Sequence, residues 1–214
     1  MRKLSFLMLL FIVFLLISCT NEVDFLKYFS STVEIICRNE EISAFATGTI
    51  ISNDGKILTN KHVVSLFAES TINVKLNDEQ MYEASIVRMS SEFDLALLKI
   101  NASTKGFMNL QEDFKIGEEI YGIGNPQGLG LSLYKGIITS NYKKLNINNE
   151  KILSVQTNIE FDDGASGGPI FNQKGELLGI MTFRLKNING YVPGVSFIIS
   201  SISLKQFINE EEIL

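Results

Sequence analysis

The chain alternates between short apolar segments and polar turns along most of its length, and this pattern predicts strands rather than helices. Segments rich in β-branched and aliphatic residues, such as Leu95–Ile100 and Leu177–Thr182, are typical of buried strands. Asn53–Gly55 and Asn172–Gly175 lie between such segments, and both predict hairpin turns. Many short strands with glycine-marked turns predict an all-β fold, either a sandwich or a barrel.

The C-terminal segment Ser201–Glu212 is the one stretch whose pattern is clearly helical. Ile202, Phe207 and Ile208 lie on one side of a helix and predict that this side is packed against the strands. No proline- or serine-rich linker divides the chain, whose 214 residues suffice for one large domain or two small halves. We place a soft boundary between two halves of similar size near residues 104–109.

The N-terminus has the composition of a secretory signal. Arg2 and Lys3 precede the apolar run Leu4–Ile17, which is shorter than the roughly 20 residues that a membrane-spanning helix needs. The segment Leu16-Ile-Ser-Cys19 resembles a bacterial lipobox and predicts a cleaved lipoprotein signal peptide over residues 1–18. A plain signal peptide with a chance cysteine and an uncleaved anchor are the alternatives.

Acylation of Cys19 would determine where the protein is located. Two or more acyl chains hold a protein stably on a membrane. We therefore expect an extracytoplasmic, membrane-anchored bacterial lipoprotein, on the periplasmic face or the cell surface, with residues 19–31 as anchor or linker. Cys37 would then have no disulfide partner, because the chain has two cysteines. Its apolar neighbours in Val33–Ile36 predict a buried thiol that packs as a small hydrophobic side chain.

The charge balance of the chain is acidic. Its formal net charge is −5, and this becomes −7 when Arg2 and Lys3 are removed with the signal peptide. An acidic chain without a dense cluster of lysine and arginine does not have the composition of a nucleic-acid-binding protein. We therefore expect no nucleic-acid partner.

Three residues have the chemistry and the order of a hydrolytic triad. His62 is the single histidine of the chain, so it is the one imidazole that could transfer a proton. Ser166 lies among small residues in Gly164–Pro169, and Asp94 opens an apolar strand. Each alone has an ordinary interpretation, as a surface histidine, a glycine-rich turn or a strand-start aspartate. Their order, with intervals of 32 and 72 residues, is that of the chymotrypsin-type arrangement.

The glycines beside Ser166 predict an oxyanion-binding loop. Glycine adopts backbone angles that other residues rarely adopt, so the amide of Gly164 can turn inward beside the amide of Ser166. Two such donors stabilise the charge that develops when a carbonyl group is attacked. We therefore expect a nucleophile at Ser166, a base at His62, an orienting carboxylate at Asp94 and an oxyanion hole formed by Gly164 and Ser166.

The segments that hold these residues resemble the HtrA/Deg family of bacterial trypsin-like serine proteases, from about Phe45 to Ser200. The stretches that carry the resemblance are Gly48–Val64, Asp94–Ile100, Gly122–Ser140, Gln156–Ile180 and Gly194–Ile199. It implies that residues 32–214 fold as two six-stranded antiparallel β-barrels with a short C-terminal helix. It also implies a serine endopeptidase that hydrolyses peptide bonds in unfolded or extracytoplasmic proteins, with no cofactor and no metal.

The resemblance also implies how a substrate is held. Its backbone would pair with the strand that begins at Thr182, whose hydroxyl would support Asp94. The residues assigned to substrate binding are Phe161, Thr182, Phe183, Arg184 and Leu185. Phe161 and Leu185 would line the primary specificity pocket, and a small or medium apolar substrate residue is the expected preference. Arg184 either attracts acidic side chains at the rim or is an ordinary solvated strand residue.

Two departures from the family pattern concern the site and its regulation. Ala165 stands where the family usually has asparagine, and the 48 residues after Ser166 contain no PDZ domain. Neither change removes the two loop amides, although a zymogen-like resting state of this loop stays open as an alternative. The alternative function is a protease-fold lipoprotein that binds proteins or acts as a chaperone with little or no catalysis.

Three aromatic residues near the N-terminus, Phe25, Tyr28 and Phe29, lie where members of the family form trimers. Two outcomes are open at this point. The rings contact neighbouring copies in a homotrimer, or they pack on the chain's own barrel.

Overall fold

The computed structural model describes residues 23–104, 109–147 and 150–209. Within these residues, 13 strands form two antiparallel sheets. The predicted signal peptide of residues 1–18 and the predicted lipidation site, Cys19, lie outside the described residues. In the described part of the chain, no helix is long and apolar enough to cross a bilayer.

The first six strands close into a barrel, which we call the first barrel. Its strands are hydrogen-bonded in the order β1-β2-β3-β6-β5-β4, and the pairing of β1 with β4 completes the ring. The strands are β1 (Thr32–Arg38), β2 (Ser43–Ile50), β3 (Lys56–Thr59), β4 (Thr71–Lys75), β5 (Met81–Met89) and β6 (Ala96–Ile100).

Alternation along the strands fills the interior of the first barrel. In β1, Val33, Ile35 and Cys37 occupy every second position and are fully buried in one apolar cluster with Leu98 of β6. The prediction that Cys37 is buried is confirmed, and burial raises the pKa of its thiol to about 11. The predicted hairpin at Asn53–Gly55 is also confirmed, because it joins β2 to its antiparallel partner β3.

The remaining strands form what we call the second sheet. Its seven strands are hydrogen-bonded in the order β8-β7-β11-β12-β13-β10-β9. The strands are β7 (Glu119–Gly124), β8 (Ser132–Ile137), β9 (Lys143–Ile147), β10 (Glu150–Thr157), β11 (Pro169–Asn172), β12 (Leu177–Asn187) and β13 (Gly190–Ser200). The predicted hairpin at Asn172–Gly175 joins β11 to β12 and is confirmed.

The second sheet corrects the prediction of two six-stranded barrels, because it has seven strands and is not closed. A single bridge between Ile138 and Thr157 brings its two sides together. The extra strand, β9, pairs with the first half of β10, while the second half of β10 pairs with β13. Lys143, Lys144 and Asn146 are exposed, and β9 forms an outer edge of the sheet.

Three α-helices accompany the strands in the described residues: α1 (Phe25–Phe29), α2 (Lys61–Val64) and α3 (Ser201–Asn209). The predicted C-terminal helix is confirmed as α3, and Phe207 is buried against the second sheet. The predicted continuation of this helix to Glu212 lies outside the described residues. The one-turn helix α2 was not predicted, because its four residues are too few to show a helical period.

Helix α1 packs on the chain's own second sheet. The Phe25 ring lies 4.8 Å from that of Tyr121, and the Tyr28 ring lies 4.5 Å from that of Phe171. Phe29 is partly buried in the same cluster. These contacts agree with the second of the two outcomes for the N-terminal aromatic residues.

Candidate active site

His62 lies on the one-turn helix α2, directly after β3. Val63 and Val64 of the same helix are buried in the first barrel and anchor the turn. The His62 side chain is 52% exposed, so part of its imidazole ring is open to a substrate. The local sequence therefore fixes the backbone of α2 by apolar burial and leaves its single histidine accessible.

Asp94 lies immediately before β6, and its carboxylate holds His62 through both oxygens. Oδ1 accepts a hydrogen bond from the backbone N–H of His62 at 2.8 Å, and Oδ2 lies 2.7 Å from Nδ1 of its ring. A carboxylate can only accept, so Nδ1 carries the proton and Nε2 is left as the basic nitrogen. The Thr182 hydroxyl donates to Oδ2 at 3.0 Å. The Asp94 side chain, 8% exposed, is thereby satisfied in a nearly dry position.

Ser166 lies in a loop that precedes β11, and glycine determines the shape of this loop. Gly164 and Gly167 have φ of +97° and +87°, a region that side chains disfavour. A Cβ atom on Gly167 would lie 2.1 Å from the carbonyl oxygen of Thr47. The close approach lets the N–H of Thr47 donate to the Ser166 carbonyl at 3.0 Å. The loop therefore belongs to the second sheet in sequence but is fastened to β2 of the first barrel.

The amides of Gly164 and Ser166 donate no hydrogen bond to any residue that the structure describes. The amide between them is used, because the N–H of Ala165 donates to the Asp162 carbonyl at 3.0 Å. The Gly164 carbonyl is held away by the Thr47 hydroxyl at 2.7 Å. Two unpaired donors on either side of Ala165 could stabilise a developing oxyanion.

His62 and Ser166 line the same cleft, whose volume is about 240 Å³. The Ser166 hydroxyl donates to the Thr182 carbonyl at 3.3 Å, so the serine is held against β12. The same threonine supports Asp94 through its side chain. Residues from both parts of the molecule therefore meet at this cleft.

Four of the five predicted substrate-binding residues line this cleft: Phe161, Thr182, Phe183 and Arg184. Leu185 does not line it and is 43% exposed. The register of β12 against β13 shifts between Arg184 and Lys186, and this bulge leaves Leu185 without a pairing partner on β13. Arg184 is not an ordinary solvated residue, since its side chain is 11% exposed and sits among polar partners.

The cleft also contains polar residues that the sequence did not assign to it: Asp162, Asp163, Lys186 and Tyr191. The Tyr191 hydroxyl donates to Asp163 at 3.0 Å. The two aspartates precede Ser166 closely in the sequence. Tyr191 comes from β13, and no local pattern relates it to the triad. Within the described residues, no group of three or more His, Cys, Asp and Glu side chains could hold a metal ion.

Comparison with known proteins identifies the architecture. The family model of the trypsin-like peptidase domain matches residues 46–180. A probable periplasmic serine endoprotease DegP-like from Pseudomonas putida (strain GB-1) is 37% identical over 164 residues, covering 76% of this chain and 34% of the relative. Its counterpart from Chlamydia trachomatis serovar D is 35% identical over 167 residues, covering 77% of this chain and 33% of the relative.

A solved structure supports the same relationship. The serine endoprotease from Yersinia pestis matches with a TM-score of 0.74 and 29% identity, covering 87% of this chain and 64% of that one. The chain spans about a third of the length of the curated relatives named above. The resemblance to HtrA/Deg-type proteases that the motifs indicated is confirmed by these matches. The chain therefore belongs to the trypsin-like peptidase family.

Proposed function

We propose that this protein is a serine endopeptidase that hydrolyses peptide bonds through His62, Asp94 and Ser166. The observation that carries the proposal is the two-point hold of Asp94 on His62, at 2.7 and 2.8 Å, in a cleft that also contains Ser166. This hold fixes the tautomer and the orientation that a general base needs. The relatives, which are named as serine endoproteases, support the same reaction.

The reaction begins with attack of the Ser166 hydroxyl oxygen on a peptide carbonyl carbon. Nε2 of His62 accepts the hydroxyl proton and later gives it to the leaving amine. Asp94 stabilises the imidazolium that forms in between. The amides of Gly164 and Ser166 hold the oxyanion, and one such donor is typically worth about 10²–10³ in rate. Water then attacks the acyl-enzyme by the same route and releases the new carboxylate.

The substrate lies along β12 in this proposal. The part of β12 from Thr182 onward forms one wall of the cleft, and Phe161 and Phe183 contribute aromatic surface to it. An extended peptide would add its backbone to the edge of this wall, as in other β-augmentation complexes. Substrates are therefore proteins that present an extended, unfolded segment.

The location proposed for the protein is extracytoplasmic. Its relatives are named as periplasmic, and a lipid-modified Cys19 after the apolar run Leu4–Ile17 would hold the protein on a membrane surface. Mass spectrometry of the purified N-terminus tests this directly. A diacylated or triacylated Cys19 is expected, whereas an unmodified N-terminus within residues 1–18 contradicts it.

The reaction is tested by labelling with a fluorophosphonate probe and by digestion of casein. The wild-type protein is expected to be labelled at Ser166 and to digest casein, and Ser166→Ala and His62→Ala to do neither. Ser85→Ala is the matched control, because Ser85 is exposed on β5 of the first barrel and should leave both activities unchanged. A folded wild-type protein that is neither labelled nor active would favour the alternative, a binding protein or chaperone.

A further inference from the structure

The guanidinium group of Arg184 makes hydrogen bonds in the cleft through one of its sides only. Its Nη1 donates to the Phe161 carbonyl at 3.3 Å and to Asp162 Oδ1 at 3.2 Å. The carbon of the guanidinium lies over the Tyr191 ring, 4.5 Å from its centroid. These contacts keep the side chain in place beside Ser166, although arginine is normally extended into solvent.

The other edge of the same guanidinium has no acceptor. Nε is buried and makes no hydrogen bond within the described residues. Nη2 has a carboxylate oxygen of Glu160 at 3.8 Å, which is too long for a hydrogen bond. The Nε–Nη2 edge is one of the two faces on which arginine binds a carboxylate through parallel hydrogen bonds. A buried donor without an acceptor costs free energy, so a ligand that changes the surroundings of this edge could remove that cost.

A second cation contacts the ring on which Arg184 lies. The ammonium group of Lys186 is 4.3 Å from the centroid of the Tyr191 ring, on which Arg184 also lies. Lys186 forms no ion pair with any acidic residue that the structure describes. Hydrogen bonding to Tyr191 raises the pKa of Lys186, so the lysine is charged at neutral pH. Two cations, Arg184 and Lys186, therefore both contact the Tyr191 ring in the cleft.

The acidic residues nearby are engaged elsewhere. Asp162 accepts from Nη1 of Arg184, and Asp163 accepts from the Tyr191 hydroxyl. Glu160 accepts from the backbone N–H of Gly194 at 2.9 Å. The side chains of Glu160 and Asp162 are more than half exposed, so water screens their repulsion of an incoming anion. Glu160 approaches the Nε–Nη2 edge of Arg184 only as a long ion pair, 3.8 Å from Nη2.

We propose that the cleft selects substrates with a carboxylate side chain, aspartate or glutamate, on the acyl side of the scissile bond, and that Arg184 with Lys186 determines this specificity. The proposal rests on the endopeptidase function proposed above. It replaces the apolar preference expected from the sequence. The substrate carboxylate takes the place of the more exposed Glu160 at Nη2 of Arg184, in the cleft that Lys186 also lines. Arginine supplies direction and lysine supplies charge.

The experiment measures binding separately from catalysis. Full-length Ser166→Ala protein is titrated with four fluorescent peptides that differ only in their C-terminal residue, which is Glu, Gln, Val or Lys. These peptides correspond to the acyl product of cleavage. Glu and Gln have the same shape and differ in charge, so the ratio of their dissociation constants isolates the carboxylate. We expect the Glu peptide to bind about tenfold more tightly than the Gln peptide.

Variants assign this ratio to the two cations. Arg184→Gln is expected to reduce the Glu-to-Gln preference to about one, and Lys186→Gln to reduce it about threefold. Lys135→Gln is the matched control, because Lys135 is exposed on β8, pairs with Glu119 and does not line the cleft. If Arg184→Gln does not fold, the exposed Lys186→Gln variant gives the same test.

The outcomes separate this proposal from the proposed function. Tightest binding of the Val or Lys peptide, or a Glu-to-Gln ratio that neither variant changes, overturns the selectivity. If the fluorophosphonate probe does not label the wild-type protein, the endopeptidase function is overturned. The Glu-to-Gln ratio of dissociation constants is not affected by that result. Labelling together with a carboxylate preference that depends on Arg184 supports both proposals.

Discussion

The first barrel and the second sheet contribute to the cleft in different ways. The first barrel is closed, and it supplies His62 and Asp94 from positions next to β3 and β6. Each of these two strands is paired with a neighbour on both sides. The second sheet is open at β9, and it supplies Ser166, Thr182 and the charged wall around Arg184. Under the proposed mechanism, the closed barrel would carry out proton transfer and the open sheet would contact the substrate.

The difference matters because the two tasks tolerate different amounts of movement. A base and its orienting carboxylate must stay within hydrogen-bonding distance, so they benefit from a closed barrel with a buried core. Substrate recognition benefits from loops and strand edges that can vary. The nucleophile loop lies between these demands, since Thr47 and Thr49 of β2 fasten it to the first barrel.

The largest effect is expected from Asp94→Asn, which tests the contribution of the first barrel. The amide keeps the shape of the carboxylate but removes its charge and presents a donor to Nδ1 of His62, so Nδ1 becomes the basic nitrogen and Nε2 carries the proton. We expect kcat/KM on a peptide substrate to fall by about 10⁴. Circular dichroism should show an unchanged fold. A loss below tenfold would mean that another group orients His62.

Each of the three residues proposed as a triad is marked in the sequence by its own short segment. His62 is the single histidine, Asp94 opens an apolar strand and Ser166 lies between glycines. Their meeting in space follows from the pairing of β3 with β6 and from the attachment of the serine loop to β2. The sequence order predicted this meeting, whereas the pairings themselves depend on contacts between distant segments.

Thr47→Val tests the link between the two parts. The Thr47 hydroxyl donates to the Gly164 carbonyl at 2.7 Å and accepts from the N–H of Asn125 at 2.9 Å. Valine leaves both groups unpaired in a buried site, so the free energy of unfolding should fall by about 2–3 kcal/mol. Urea denaturation measures this loss. The rate of fluorophosphonate labelling should also fall, because the Gly164 loop is released.

Thr47→Ser is the control for this link, since it keeps the hydroxyl group and removes one methyl group. It should retain most of the stability and the labelling rate. Equal losses in the valine and serine variants would assign the effect to packing of the methyl group rather than to the two hydrogen bonds.

A smaller effect is expected from Thr182→Val, which removes a contact that the second sheet makes to the acid–base pair. The Thr182 hydroxyl is one of three donors to the Asp94 carboxylate, and the two bonds from His62 stay in place. We expect kcat/KM to fall about tenfold, because a hydrogen bond to a charged group is lost. Thr182→Ser should restore most of the activity. An unchanged rate in Thr182→Val would show that the first barrel orients His62 without this support.

The features that the sequence missed depend on contacts across the second sheet. Arg184 was left as a rim or solvated residue, because its partner Tyr191 is on the next strand and shows no local signal. Closure of the second sheet fails at β9, whose exposed lysines resemble any polar loop in sequence. The position of Leu185 outside the cleft depends on the same pairing, because the register of β12 against β13 shifts between Arg184 and Lys186.

The smallest effect concerns the interior of the first barrel and its response to pH. Burial raises the pKa of the Cys37 thiol to about 11, above its ordinary value of about 9. The folded state therefore keeps the proton that the unfolded state releases, so this contribution to stability is complete below about pH 9 and is lost as the pH rises toward 11. We expect a loss of about 1 kcal/mol at pH 10.

The second sheet titrates in the same direction, and a paired variant separates the two contributions. Burial raises the pKa of Tyr134 to about 12 and also raises the pKa of Tyr121 and Tyr142. Unfolding is therefore measured from pH 7 to 10 for Cys19→Ser and for Cys19→Ser with Cys37→Ala. The tyrosines act equally in both, so the difference between the two slopes belongs to Cys37. Parallel slopes would show that the alkaline response of the fold comes from the second sheet and that the closed barrel contributes nothing to it.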